Sequence, residues 1–445
     1  MENISHSQNS SHTMEMATFY LVMALGAINH DNTIKELKIQ AHESSFQHRI
    51  ASGHSSALLY LKALKQIDLG AQCCTPSISL IRILLLISIY SSYEPISSSQ
   101  WQLIGLAMRM AIELGLHTPS RASRLPDSEK EQRKSIFWTI YAMEINLAYN
   151  LGRPPSLGEE HITTDLPIAS SATCFSTHHI KHRQIQGRII SQVYAANKSA
   201  RNTTETDVVI ARLQEELDEW RLSIPNPTKL ENATSYPYDF WIRLYHGTSF
   251  VLHRSSPLRP DPPPESLERC LRSASAYIDN IYALLRSSNI PISWMLVQGI
   301  LFAGLTMLTT ARMGFRQLAS HMGSHCLIVD LPAWIRRCSV CLAIINERWN
   351  EDLLSRLDSQ FEVIANDTLR IISSSLLSPR VSDTLDVTPF YYQSIANPPS
   401  TPANCSPPNI LAEDNLADGG DPFDLMLDMM GLDPMETFWD FSSLG

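Results

Sequence analysis

At 445 residues, 44% of them hydrophobic, the chain has room for roughly two or three domain-sized units or one large helical array, and its 17 glycines and few dense runs of Val, Ile and Thr argue against an all-β fold. The formal net charge of −10 resides in the tail: eleven acids and no base follow Arg380, so the preceding body holds 35 Lys and Arg against 34 acids. A near-neutral body sets up no global field toward phosphates, so direct DNA binding is expected to be weak or absent.

In chain order, Met1–Thr13 is polar and expected to be a disordered N-terminus. Helices are expected through Met14–Ile67 and Ser77–Tyr93. The apolar run Ala17–Ile28 lacks the basic flank of a secretory signal, since the first lysine is Lys35. Ile83–Tyr90 and Trp294–Thr309 are too short or too interrupted to span a bilayer, so they read as core helices and no membrane partner is expected.

The pattern sharpens at Trp101. Ser98 or Ser99 can cap a helix in which Trp101, Ile104, Met108, Ala111 and Ile112 recur at helical spacing, and Gly115 stands where a left-handed stop is needed. The next helix opens with Ser128-Glu129-Lys130-Glu131, a capping-box pattern. Ile136, Phe137, Ile140, Tyr141, Leu147 and Leu151 form its apolar face, and Gly152 and Pro154 end it. Leu166–His179 reads as a Ser/Thr-rich loop. The basic patch His178-His179-Ile180-Lys181-His182-Arg183 that follows reads as solvated, with a nuclear-import patch or a metal pair at His178 and His182 as lesser readings.

Further on, Ile224–Pro237 is another loop, and the proline-rich Ser255–Glu265 separates the middle helices from the C-terminal ones. Those are expected at Ser266–Leu285, Ser293–Met313, Leu331–Asn350 and Asp352–Ser374. The fold class is therefore all-α: a large multi-helix array in helix-on-helix layers over residues 14–376, with no solenoid-type repeat. A stiff Pro/Ser-rich linker follows at 377–410, then an acidic-hydrophobic tail at 411–445.

The tail has its own logic. Asp421 can cap, Pro422 fits a first helical position, and Phe423, Met426, Leu427 and Met430 share one face opposite Asp424 and Asp428. The design recurs at Asp433-Pro434, leading into Phe438-Trp439-Asp440-Phe441. Helices this short are marginal alone in water, so the tail is expected to be disordered until a partner groove orders it. Phe423, Leu427, Met430, Phe438, Trp439 and Phe441 are the candidate partner-binding residues, for a coactivator or the transcription machinery. The competing readings are an unspecialised acidic tail, or a terminal helix docking on its own body.

The eight cysteines stand at positions 73, 74, 174, 270, 326, 338, 341 and 405. Only Cys338-Ser339-Val340-Cys341 has ligand-like spacing, and a structural zinc site normally needs four ligands, so buried reduced thiols are expected and no metal. No nucleophile elbow, phosphate-binding glycine loop or His-Glu-x-x-His helix occurs. No enzyme, catalytic residue or cofactor is expected.

The order of landmarks says more than any one of them. Trp101, Gly105, Ala107, Arg109 and Ala111 run to Leu114-Gly115-Leu116-His117; then come Glu131, Arg133, Phe137-Trp138 and Tyr141, Leu151-Gly152-Arg153-Pro154-Pro155, and Asp165-Leu166-Pro167. This succession resembles the fungal-specific transcription factor domain, the middle homology region downstream of the binuclear zinc cluster in fungal regulators. Leu213, Leu217, Trp220 and Pro225, the stretch Tyr245–Arg254, and Cys338, Leu342, Arg348-Trp349 and Phe361 extend the resemblance over roughly residues 14–376. Two departures stand out: Glu144-Ile145 replaces the usual Asp-Arg, and Phe137-Trp138 replaces Trp-Trp. Trp101, Gly105, Arg109, Gly115, Trp138, Gly152, Arg153 and Pro154 are the structural signature.

The resemblance implies a nuclear transcription regulator, often of a metabolic or secondary-metabolite biosynthetic gene cluster, and the acidic tail implies an activating sign. The family's zinc cluster needs six clustered cysteines near the N-terminus, and this sequence holds none there. The expectation is an effector half that works with a DNA-binding partner protein and responds to a small-molecule effector. The alternatives are a zinc-cluster factor whose N-terminal exon is missing, and a small-molecule-binding helical module or enzyme with an incidental acidic tail.

Overall fold

Between residues 264 and 286 the side chains of Leu267, Cys270, Leu271, Ala274, Ile278, Ile281 and Leu285 recur every three or four positions, and all are buried. That spacing lays one continuous apolar stripe on a helix, and the array is assembled by stacking such stripes. The computed structural model describes residues 12–28, 55–67, 75–93, 100–119, 125–168, 173–195, 203–225, 237–287, 292–349 and 352–377. Among them there is no strand, and the helices are α1 (His12–Ile28), α2 (Ser55–Leu64), α3 (Ile78–Tyr93), α4 (Gln100–Glu113), α5 (Asp127–Leu151), α6 (Cys174–Ile189), α7 (Thr203–Leu222), α8 (Tyr238–His253), α9 (Pro264–Arg286), α10 (Trp294–Met322), α11 (Leu331–Trp349) and α12 (Asp352–Leu377). The fold is all-α, as the periodicities indicate.

Most helices pack against their neighbours in sequence, and the cores follow from that. Helices α1, α2 and α3 enclose Leu21, Tyr60, Ile83 and Tyr90, with Tyr60 and Tyr90 stacked at 4.3 Å. Ile104, Met108, Phe137 and Tyr141 anchor the next layer, from α3 through α6. Trp220 and Trp241 centre a third layer among α6, α7 and α8. The largest core joins α8 to α12. There α10 is apolar nearly all round and passes through the middle. By length and composition it could cross a membrane, but 78% of its most apolar window is buried inside the protein. Its start is conventional: Ser293 accepts a hydrogen bond from the Leu296 amide at 3.3 Å.

Several boundaries differ from expectation. Helix α5 is not opened by a capping box: it begins one residue earlier, behind Pro126, and Ser128 makes no cap. Asp127 and Glu129 instead place negative charge at the positive end of the helix. Glu131, free of the cap, accepts from the Ile168 amide at 3.0 Å. The Ser/Thr-rich loop ends at Thr173, since α6 already includes Cys174 to His179, and α10 continues nine residues beyond Met313. Ser98, Ser99, the linker and the tail lie outside the described residues.

Candidate functional site

Helix α5 ends where Gly152 takes a left-handed conformation (φ 58°), which lets the Arg153 amide reach back to the Ala148 carbonyl at 3.0 Å. The chain then reverses and runs back along α5, held by four side chains. Glu144 accepts from the Ser156 amide at 3.1 Å and from its hydroxyl. Tyr141 donates to Glu159 at 2.7 Å, the Trp138 indole to the Asp165 carbonyl at 2.9 Å, and Glu131 accepts from Ile168. The amides of Thr163 and Thr164 both donate to the His117 carbonyl, tying the same strap to the end of α4. Trp138, Gly152-Arg153-Pro154 and Asp165-Leu166-Pro167 thus belong to one device.

The remaining signature residues frame it. The Arg153 guanidinium lies 5.5 Å from the centre of the Trp101 ring, a cation–π contact linking the turn to α4. Gly115 has φ 68° and follows α4; Arg133 caps the same end by donating to the Leu114 carbonyl at 2.9 Å. Pro154 is exposed, Arg109 faces solvent, and a Cβ at Gly105 would meet nothing within 4 Å. Glu144, the departure from the usual aspartate, is 2% exposed and holds the strap rather than an arginine. Burial pushes its carboxyl pKa up, and the two Ser156 bonds oppose that.

Between the strap, α5 and α6 lies a cavity of about 220 Å³, lined by Trp138, Tyr141, Glu159, Ile162, Thr164, Leu166 and Gln184. Trp138 is fixed both by its indole bond and by edge-to-face contact with Phe137 and Tyr141. Behind the Tyr141–Glu159 pair stands Gly187, where a Cβ would fall 3.2 Å from both the phenol oxygen and the carboxylate. Arg188 faces the second Glu159 oxygen at 3.7 Å and pairs with Glu216 at 2.8 Å. Burial and the neighbouring carboxylate push the Tyr141 pKa far up, so the phenol stays protonated and donates to Glu159.

Most of the basic patch is not solvated, although Lys181 is exposed. His178, His182 and Arg183 lie buried on α6, against α7 and α8. His178 stacks on Trp220 at 4.7 Å, and the Trp220 indole donates to the His178 carbonyl at 2.9 Å. His182 and Gln186 both reach the Thr248 hydroxyl, at 2.9 and 3.1 Å. Arg183 bonds Gln186, and among the described residues no carboxylate pairs with it. Burial brings its pKa down to about 10, that of His178 to about 4 and that of His179 to about 3. A second buried string links His253 to Gln214 and Ser266, each at 3.1 Å, and Ser249 to Ser273. Aromatic rings can bury imidazoles when hydroxyls and amides distant in sequence, 66 residues away for His182 and 39 for His253, satisfy them, and local sequence does not display those partners. Periodicity did carry a signal: Phe175, Ile185, Ile189 and Val193 are buried at helical spacing, with His178 and His182 filling the gaps.

Among the described residues no group of three or more His, Cys, Asp or Glu is placed to hold a metal. Cys338 and Cys341 sit in the largest core, where burial pushes both thiols up, Cys341 to about 12. Phe423, Leu427, Met430, Phe438, Trp439 and Phe441 lie outside the described residues.

Comparison with known proteins extends the resemblance. The fungal specific transcription factor domain matches residues 2–222. Protein STB5 of Saccharomyces cerevisiae is 29% identical over 325 residues, covering 66% of this chain and 42% of its own length. The negative regulator of pleiotropic drug resistance STB5 of Candida glabrata is 30% identical over 210 residues, 45% of this chain and 20% of that protein. An ABC-transporter-regulating transcription factor of Aspergillus oryzae is 25% identical over 221 residues, 45% and 25% of the two chains. The chain thus spans less than half the length of these relatives. No solved structure matches it. Through residues 2–222, which hold the strap, the signature turn and the cavity, the chain belongs to the fungal specific transcription factor domain family.

Proposed function

We propose that the chain is a nuclear transcription regulator of a metabolic or secondary-metabolite gene cluster, acting through its acidic C-terminal segment. The observation that carries this reading is the domain match over residues 2–222, together with the Candida glabrata and Aspergillus oryzae relatives, which are named as regulators. The tail supplies the effector chemistry. Its aromatic and aliphatic side chains can bury apolar area in a coactivator groove, while its acids keep the segment soluble and steer association. An activating sign follows from that composition, although one relative is named a negative regulator.

Residues 421–444 fused to an unrelated DNA-binding domain should activate a reporter. Replacing Phe438, Trp439 and Phe441 by Ala should remove most of that activity, and neutralising Asp424 and Asp428 should weaken it less. A silent fusion beside an active 14–376 body overturns the tail assignment. The purified chain should bind duplex DNA weakly and without sequence preference, because groove readout needs phosphate contacts that a near-neutral body does not supply. A footprint at nanomolar protein and physiological salt overturns that part.

Coverage favours a second reading, in which these 445 residues are part of a longer zinc-cluster factor, since they align with 20 to 42% of the relatives' lengths. A transcript encoding six clustered cysteines upstream would establish it.

A further inference from the structure

The cavity beside Trp138 has a chemistry of its own. A water molecule occupies about 30 Å³ of liquid, so a space of about 220 Å³ accommodates a one-ring or fused two-ring molecule. One wall is the Trp138 indole, which cannot rotate because its N–H is committed to Asp165. Opposite polarities are distributed unevenly over the rest. Tyr141 spends its only proton on Glu159, so the pair offers the cavity acceptors and no donor. Arg188 lies beyond hydrogen-bond distance of Glu159 and is engaged with Glu216, leaving lone pairs on the carboxylate. The Gln184 amide, half-buried in the lining, makes no hydrogen bond among the described residues. Gly187 keeps the pair in place from behind, because a methyl group there would press on both oxygens at 3.2 Å.

We propose that this cavity binds a flat, weakly basic nitrogen heterocycle, whose N–H groups donate to Glu159 while its ring lies along Trp138 and Gln184 satisfies its remaining polar edge. A carboxylate or phosphate is disfavoured, since it would face the Glu159 oxygens with only neutral donors such as the Gln184 amide to offset the repulsion. The position suits communication: a ligand there touches α5, α6 and the strap together. The regulatory meaning of such a ligand rests on the proposed function, whereas the binding itself does not.

The test is titration of the full chain with 2-aminobenzimidazole, followed by calorimetry and ligand-observed NMR, with benzoate as the flat anion. One site per chain with Kd at or below about 1 mM is expected, the range for a probe of about ten non-hydrogen atoms. Benzoate should not bind. Glu159→Gln should weaken binding at least about tenfold, because it removes a charge-assisted acceptor. Glu160→Gln, exposed and outside the lining, should leave it unchanged. Glu159 is partly exposed, so its variant is expected to fold, and matching circular dichroism spectra would show that it does. No binding by the folded wild-type chain, equal binding of benzoate, or an unchanged Kd in Glu159→Gln overturns the proposal. The tail fusion lacks this cavity, so a failed titration beside an active fusion overturns the ligand site alone. A silent fusion beside a successful titration overturns the tail assignment alone.

Discussion

Acidification from pH 7.5 to 5 should remove much of the stability of the folded chain, and the histidines set the size of the loss. His178, His179 and His253 are held at about 4, 3 and 3 by burial first and by neighbouring cations second, and His182 and His246 are shifted the same way. In the unfolded chain each titrates near 6.5. The folded pKa is depressed, so the neutral imidazole is the form the fold accepts. Stability is complete above 6.5 and is lost as pH falls toward the folded values, because only the unfolded chain takes up the protons. At pH 5, 1.5 units below the unfolded value, each deeply buried group costs about 2 kcal/mol. His178 and His253 together cost about 4 kcal/mol, with His182 adding to it and the partly exposed His179 adding less. Glu144 and Asp358 work in the opposite direction, since burial raises both pKa values and lets the folded state take a proton first, but they are two groups against five. Domains of ordinary stability hold 5–15 kcal/mol in all, so the urea midpoint should fall steeply between pH 6.5 and 5. Urea denaturation followed by circular dichroism at half-unit pH steps measures this. A midpoint at pH 5 equal to that at pH 7.5, or imidazole titrations near 6.5 in the folded chain, would refute the reasoning.

Three further outcomes can be checked on the same material. Gly304→Ala should cost about 1–3 kcal/mol by thermal or urea unfolding, because its Cβ would stand 2.7 Å from the buried Phe361 ring; Gly105→Ala, with nothing within 4 Å, should instead be neutral or stabilising by up to about 1 kcal/mol. Gly152→Ala should cost about 1–2 kcal/mol, since an L side chain must then adopt φ 58°. Cys338 and Cys341 should resist maleimide in the folded chain and react once urea unfolds it, as mass-spectrometric peptide mapping would show; rapid labelling of the native chain contradicts their placement in the core.

Much of the scaffold could be read from residue order. The apolar stripes of α5 and α9, the stops at Gly115 and Gly152, and the breaks before α9 and α10 all follow from local rules that act within one or two turns. What escaped depends on partners distant in sequence. Burial of His182 makes sense only once Thr248 is known to face it, 66 residues away. The cavity combines Trp138 and Tyr141 on a helix, Glu159 on a strap and Gln184 on another helix, and no spacing rule joins those three elements. The capping box failed for a nearer reason: Glu131 found a better donor in Ile168.

The reversed chain behind Gly152 closes like a zipper. Its rungs join 144 to 156, 141 to 159, 138 to 165 and 131 to 168, so each encloses the one before it. Once the turn has formed, the next rung needs only a few more residues to be fixed, and the added loop entropy is small. Closing should therefore start at the Gly152 end and proceed toward Ile168, while opening starts at Ile168 and stays partial. Amide exchange along 156–168 would then rise in steps rather than evenly. A single inserted residue in this stretch would throw every later rung out of step with α5, which gives the distance between Gly152-Arg153-Pro154 and Asp165-Leu166-Pro167 in this chain a mechanical reason.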